Sequence, residues 1–220
     1  MMALPGVKTV LFDVDGTLID SNCAHAETWT QSLLEHGVDA DMGTIRPLIG
    51  MGGDKLLPMV ARVTEDSASG QSIAQRKKEL FVERLPTLHP TRGARALVEF
   101  LKCQGIALAI ATSADAGETS ALLQQAGVDD LFPLRTTKDD VAESKPDPDI
   151  VHAALGRAET PAELAILVGD TPYDIRAAQR ASVRTIALRC GGYWNDDDLT
   201  SAFAIFDDPA ALFAFLDSSH

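Results

Sequence analysis

The hydrophobic pattern of this chain changes period twice. Val10, Leu11 and Phe12 form a short apolar run ended by Gly16, the pattern of a buried strand closing in a turn. Beyond it, Ala24, Trp29, Leu33 and Leu34 recur near helical spacing up to Gly37, with Asp20 and Ser21 as candidate N-caps. From 41 to 85 the pattern stays helical, over 45–49, 55–63 and 72–85, broken by a turn at the glycines of LIGMGGDK. Pro86 and Pro90 bracket the segment PTLHP, and after it helices and strands alternate. Helices are expected over 94–104, 118–125, 148–155, 174–181 and 210–216, and strands over 106–111, near Leu134, and over 164–168, 185–188 and 204–206. Strands separated by helices of this length predict a doubly wound parallel sheet of right-handed βαβ units. The expected fold class is therefore α/β, a Rossmann-like core of residues 1–20 and 88–220 with an α-helical cap domain inserted at 21–87.

Composition narrows the partners more than the fold. With 45% hydrophobic and 23% charged residues over 220 positions, the chain reads as an ordinary globular protein long enough for a sizeable core. Lys and Arg number 19 against 32 Asp and Glu, and the net charge of −13 opposes nonspecific binding to nucleic acid or an anionic membrane. An anionic substrate must then be recognised locally. No run approaches the roughly 18 apolar residues needed to span a bilayer, and MMALPGVKTVLFD lacks the pattern of a signal peptide. Cys23, Cys103 and Cys190 are widely spaced and form no C-x-x-C pair, which reads as free thiols in a reducing compartment. A cytoplasmic protein is expected, with no nucleic-acid or membrane partner, as a monomer or homodimer. The acids at 196–198 and 207–208 read as solvated loop and capping residues.

Candidate chemistry sits at the strand ends. Asp13 and Asp15 stand at i and i+2, so both side chains project from the carboxyl end of the first strand toward one crevice, where open α/β sheets place ligands. Two like charges so close call for a compensating cation or a shared proton, and an all-oxygen donor set points to Mg2+. DVDGT taken alone reads more simply as a strand followed by an Asp-Gly turn with exposed acids. Three further strand ends add to it. LAIATSAD places Thr112 and Ser113, whose hydroxyl and backbone N–H groups suit an oxyanion. SKPDPDI places Lys145 in a loop stiffened by Pro146 and Pro148. ILVGDTPYDI places Asp170 at a strand tip and Asp174 on the next helical turn, suited to direct and outer-shell metal contacts respectively. In the helical block, Gly52 and Gly53 permit close backbone approach to a ligand, Lys55 adds charge at a helix start, and His25 reads either as a crevice residue or as a structural histidine. The charged run AQRKKELFVER reads as a solvated helix face.

DVDGT, the ATS strand end, SKPDPD and GDTPYD together resemble the four motifs of the haloacid dehalogenase-like hydrolase superfamily, in its helical-cap branch with phosphoglycolate phosphatases and beta-phosphoglucomutases. The resemblance runs from about Val7 to Leu216. It implies that Asp13 is a nucleophile forming an aspartyl-phosphate and Asp15 a general acid and base. By the same likeness Thr112 and Lys145 bind the transferring phosphoryl group, while Asp13, the Asp15 backbone carbonyl and Asp170 ligate Mg2+ with Asp174 in support. The substrate implied is a small phosphorylated metabolite, facing Arg46, Gly52, Gly53 and Lys55 of the cap.

Within that branch the second aspartate of the first motif separates readings. The dehalogenases similar to this chain lack it, so Asp15 argues for phosphoryl transfer. The similar mutases carry a basic cap residue where this chain has Gly53, with Lys55 or Arg46 as possible substitutes, and phosphonate hydrolases use a cap lysine, a role open to Lys55. A catalytically silent binding module is the alternative from another class. The simplest expectation is a phosphatase.

Overall fold

A computed structural model describes residues 6–218 of the chain. In order, its elements are β1 (Thr9–Phe12), α1 (Asn22–Glu35), α2 (Met42–Ile45), α3 (Gly53–Val60), α4 (Ala68–Arg84), α5 (Ala94–Cys103), β2 (Ala107–Ala111), α6 (Ala116–Gln125) and β3 (Leu134–Thr136). There follow α7 (Asp149–Arg157), β4 (Ala165–Gly169), α8 (Pro172–Arg180), β5 (Arg184–Leu188), α9 (Asp196–Leu199), β6 (Ala204–Phe206) and α10 (Pro209–Asp217). The strands form one parallel sheet in the order β3-β2-β1-β4-β5-β6, the α/β architecture expected from the alternation.

Period-two alternation divides each strand between two cores. Val10 and Phe12 pack under α5, α6 and α10 with Leu97, Leu122 and Leu212, whereas Leu11 and Leu167 face α7 and α8 with Ile150, Val151 and Ala177. The segment from α1 to α4 keeps a third cluster of its own, built on Trp29, Leu33, Ile45, Leu56, Leu57 and Ile73. Among the described residues no helix is long and apolar enough to cross a membrane.

Local capping moves some boundaries away from those the hydrophobic pattern predicts. Helix α4 starts at Ala68 rather than 72, since the Ser67 side chain accepts from the Gly70 N–H through a stretch too polar to show the period. Helix α8 starts at Pro172 rather than 174, because Thr171 and Asp174 close a capping box. The acids at 196–198 form the short helix α9, capped by Asn195. Ser21 precedes α1 but makes no side-chain cap. Its hydroxyl is spent on Asp15 instead.

Candidate active site

Strand order reverses at β1, which pairs with β2 on one side and β4 on the other, and such a switch point opens a crevice at the strands' carboxyl ends. Register aligns the three ends: Phe12 lies beside Ile110 and Val168. Asp13, Thr112 and Asp170 are each the first residue past their strands, Thr112 and Asp170 one position further along than Asp13, and so leave the sheet at one end of the crevice. Val14 is buried in the core, so Asp13 and Asp15 straddle it toward the crevice. The chain then turns through Gly16, whose φ of +71° is left-handed and whose missing side chain leaves room for Asp170 and Asn22.

The buried centre is a lysine between acids. Lys145 Nζ donates to Asp13 Oδ1 and Asp174 Oδ1, each at 2.7 Å, with the lysine side chain only 1% exposed. Asp174 can meet it because its other oxygen, Oδ2, accepts from the Thr171 N–H at 3.0 Å and the Thr171 hydroxyl at 2.6 Å. Burial works to lower the lysine pKa, but the charges of Asp13 and Asp174 outweigh it and raise it. Burial pushes Asp13 up to about 7 against the pull of Lys145, with Asp174 and Asp15 adding to the rise. Burial, then Asp174 and Asp13, also hold Asp170 well above the ordinary carboxylate range.

Asp15 has a different environment. His25 Nε2 lies 2.7 Å from its Oδ1, and the Ser21 hydroxyl donates to the same oxygen. Burial alone would raise Asp15, yet the His25 ring, Ser21 and the charge of Lys77 outweigh it and keep the carboxyl below its ordinary value. His25 is itself fixed by stacking on Phe81 at 4.0 Å.

A cavity of about 360 Å³ opens over both aspartates. Thr112, Ser113, His25, Gly52 and Gly53 line it together with Asp13 and Asp15. Ser113 Oγ also accepts from the Lys145 backbone N–H at 3.4 Å. Two residues assigned to the substrate side are engaged elsewhere. Lys55 pairs with Glu143 and, at 3.0 Å, with Asp147, outside the cavity lining. Arg46 reaches across to donate from Nη2 to the Gly191 carbonyl at 2.9 Å. Both find acids or carbonyls of the core that are distant in sequence, which spacing along one helix does not reveal.

Lys77 shows the opposite outcome. It belongs to the run read as a solvated face, yet it is buried, lines the cavity, pairs with Glu118 at 2.9 Å and lies 4.6 Å over the Phe81 ring. The available signal was periodicity: Ile73, Lys77, Leu80 and Phe81 fall at i, i+4, i+7 and i+8, so the lysine shares the apolar stripe.

The acids fit a divalent cation. One carboxylate oxygen from each of Asp13, Asp170 and Asp174 lies within 4.8 Å of the others, all three buried. Three ionised carboxylates against one ammonium leave two negative charges, the charge of Mg2+, and an all-oxygen set suits that ion. The Asp15 carboxylate is not in this cluster, being held by His25 and Ser21.

A pH-dependent stabilisation follows. For a carboxyl raised from 3.8 to about 7, the folding cost of ionisation is absent below about 4, grows with pH, and is complete above about 7. The metal-free protein is therefore expected to lose stability across that window, and Mg2+ to restore it mainly above pH 7. At a hundredfold excess over its dissociation constant the ion contributes about 2.7 kcal/mol, roughly 5–10 °C for a chain of this size. Thermal melts with Mg2+ or chelator at pH 5 and pH 8 measure it; an equal shift at both pH values would contradict the burial of these acids.

Known proteins share this architecture. A family model described as haloacid dehalogenase-like hydrolase matches residues 10–188. The phosphoglycolate phosphatase of Rhodospirillum rubrum is 28% identical over 214 residues, covering 93% of this chain and 89% of its own length. A solved hydrolase from Pseudomonas syringae has a TM-score of 0.89 at 27% identity, covering 96% of this chain and 98% of its own. CbbY from Rhodobacter sphaeroides, solved in complex with phosphate, has a TM-score of 0.79 at 27% identity, covering 96% and 99% respectively. The matched segment contains β1 through β5 and with them the buried lysine, the acids around it and the Thr112 strand end, so the chain belongs to the haloacid dehalogenase-like hydrolase family.

Proposed function

We propose that this protein is a Mg2+-dependent phosphatase that hydrolyses a small phosphomonoester through an aspartyl-phosphate on Asp13. One observation carries the reading: two aspartates two residues apart open on one cavity in opposite environments, Asp13 among buried acids beside Lys145 and Asp15 against His25 and Ser21. Titratable pairs whose surroundings push them apart mark a division of labour. Asp13 attacks phosphorus, and its new O–P bond forms as the bond to the leaving alkoxide breaks. Asp15 carries the proton to that alkoxide; its carboxyl, held ionised by His25 and Ser21 in the free enzyme, must first take that proton up when substrate closes over the cavity. A water then yields a proton to Asp15 and attacks phosphorus, breaking the Asp13–P bond and releasing inorganic phosphate.

Lys145, Thr112 and Ser113 are suited to hold and neutralise the equatorial oxygens of the transferring group. A divalent cation held by Asp13, Asp170 and the Asp15 backbone carbonyl, with Asp174 in support, supplies further charge stabilisation when bound. The helices α1 to α4 act as the cap over the cavity, from about residue 21 to 87. The names of the relatives, a phosphoglycolate phosphatase and a protein crystallised with phosphate, support a small phosphorylated substrate. The pairing of Arg46 with Gly191 and of Lys55 with Glu143 and Asp147 favours hydrolysis over the mutase and phosphonate alternatives, which need one of these cations free.

The test is phosphate release from a panel of metabolite phosphates. Turnover of at least one phosphomonoester is expected with Mg2+, together with loss in chelator and recovery when the ion is returned. Full activity in excess chelator would remove the metal from the mechanism. Release no faster than from an Asp13→Asn control would favour a silent binding module.

A further inference from the structure

Asp170 is the member of the acid cluster without a direct cationic partner, since Lys145 gives its hydrogen bonds to Asp13 and Asp174. Neutral donors hold it. Thr17 Oγ1 donates to Oδ1 at 3.2 Å, and Asn22 Nδ2 donates to Oδ2 at 2.8 Å. Asn22 is the first residue of α1, 4% exposed, and its amide also donates to the Gly191 carbonyl at 3.2 Å. Arg46 donates to that same carbonyl, so two side chains from the helices between β1 and β2 converge on the loop that walls Asp170. Closeness there is enforced by composition: a Cβ added to Gly16 or to Gly191 would overlap the Asp170 carboxylate.

Asn22 also carries a cost. Its Oδ1 is buried with no hydrogen-bond partner, and an unpaired buried acceptor typically costs about 1–3 kcal/mol. Reversing the amide would bring Oδ1 against the Asp170 carboxylate and the Gly191 carbonyl, leaving no donor for either, so the orientation follows from its partners.

We propose that Asn22 is a positioning residue for Asp170, orienting its carboxylate for the divalent cation and tying the seating of α1 to metal affinity. This rests on the metal reading given under Proposed function. Partners that orient metal-ligating side chains commonly change affinity by about 10–100-fold when removed.

The experiment is calorimetric titration of Mg2+ into chelator-stripped wild-type, Asn22→Ala and Asn22→Ser proteins at pH 8, without substrate. Asn22→Ala is expected to weaken Mg2+ binding about tenfold. Asn22→Ser, which keeps a hydroxyl and a favourable residue for a helix start, should fall between and keeps the test open if the alanine variant does not fold. Kinetically, the Mg2+ concentration for half-maximal turnover should rise while kcat at saturating Mg2+ stays within about threefold of wild type, a split that packing damage would not produce. A folded variant that binds Mg2+ within twofold of wild type would overturn the role. Failure of the wild type itself to bind Mg2+ would overturn the metal assignment, and this role with it.

Discussion

Asp13→Asn is expected to lower phosphate release by about 10⁴-fold or more while leaving the fold intact, the scale seen when a covalent nucleophile is removed. The amide keeps the size of the carboxylate and can still accept from Lys145 Nζ, now 2.7 Å away, so the lysine does not lose every partner. It removes a charge that burial opposes, as the pKa near 7 indicates. Above pH 7 in chelator the variant should therefore melt no lower than wild type, and the stabilisation by Mg2+ should shrink because one ligand oxygen loses its charge. Activity, melting temperature and the Mg2+ shift measured on one preparation separate these effects. Turnover within tenfold of wild type in a folded Asn variant would rule out Asp13 as the nucleophile.

What could be read in the sequence depended on the range of the interaction. The strand ends were legible because an apolar run followed by an acid or hydroxyl is a local pattern, and β1, β2 and β4 each bury four or five consecutive residues of that kind or nearly so. Parallel pairing then did the rest, bringing the three strand ends that carry Asp13, Thr112 and Asp170 to one edge of the crevice. The cap-side residues were less legible because their partners lie far off in the chain. Lys55 and Glu143 are 88 positions apart, and Arg46 and Gly191 are 145 apart. Ser21, read as a candidate N-cap, is instead bound to Asp15, and Asn22 beside it to Asp170. Lys77 was hidden by its charged neighbours Arg76, Lys78 and Glu79, although its own phase on α4 is that of Ile73 and Phe81.

Lys145→Met should be damaging in two separable ways. For activity, the loss of the ammonium beside Asp13 removes charge stabilisation from the transferring phosphoryl group, for which about a 10²–10³-fold fall in kcat is the usual scale. For stability, Met approximates the size of the buried stem but leaves Asp13 and Asp174 without the cation that both now contact at 2.7 Å. Breaking a buried pair from one side typically costs about 3–5 kcal/mol. The pH dependence identifies the source of that cost. With Lys145 gone, Asp13 is pushed above its present value near 7, further from its unfolded 3.8, so the folded variant takes up protons that the unfolded chain does not. The deficit relative to wild type should then stay level up to about pH 7, where Asp13 holds its proton in both folded proteins, and grow above it. Urea melts in chelator at pH 5 and pH 8 measure the difference directly. A deficit of equal size at both pH values would mean that the lysine stem, and not its charge, supports the fold. Partial recovery with Mg2+ at pH 8 would confirm that the missing quantity is positive charge within the acid cluster.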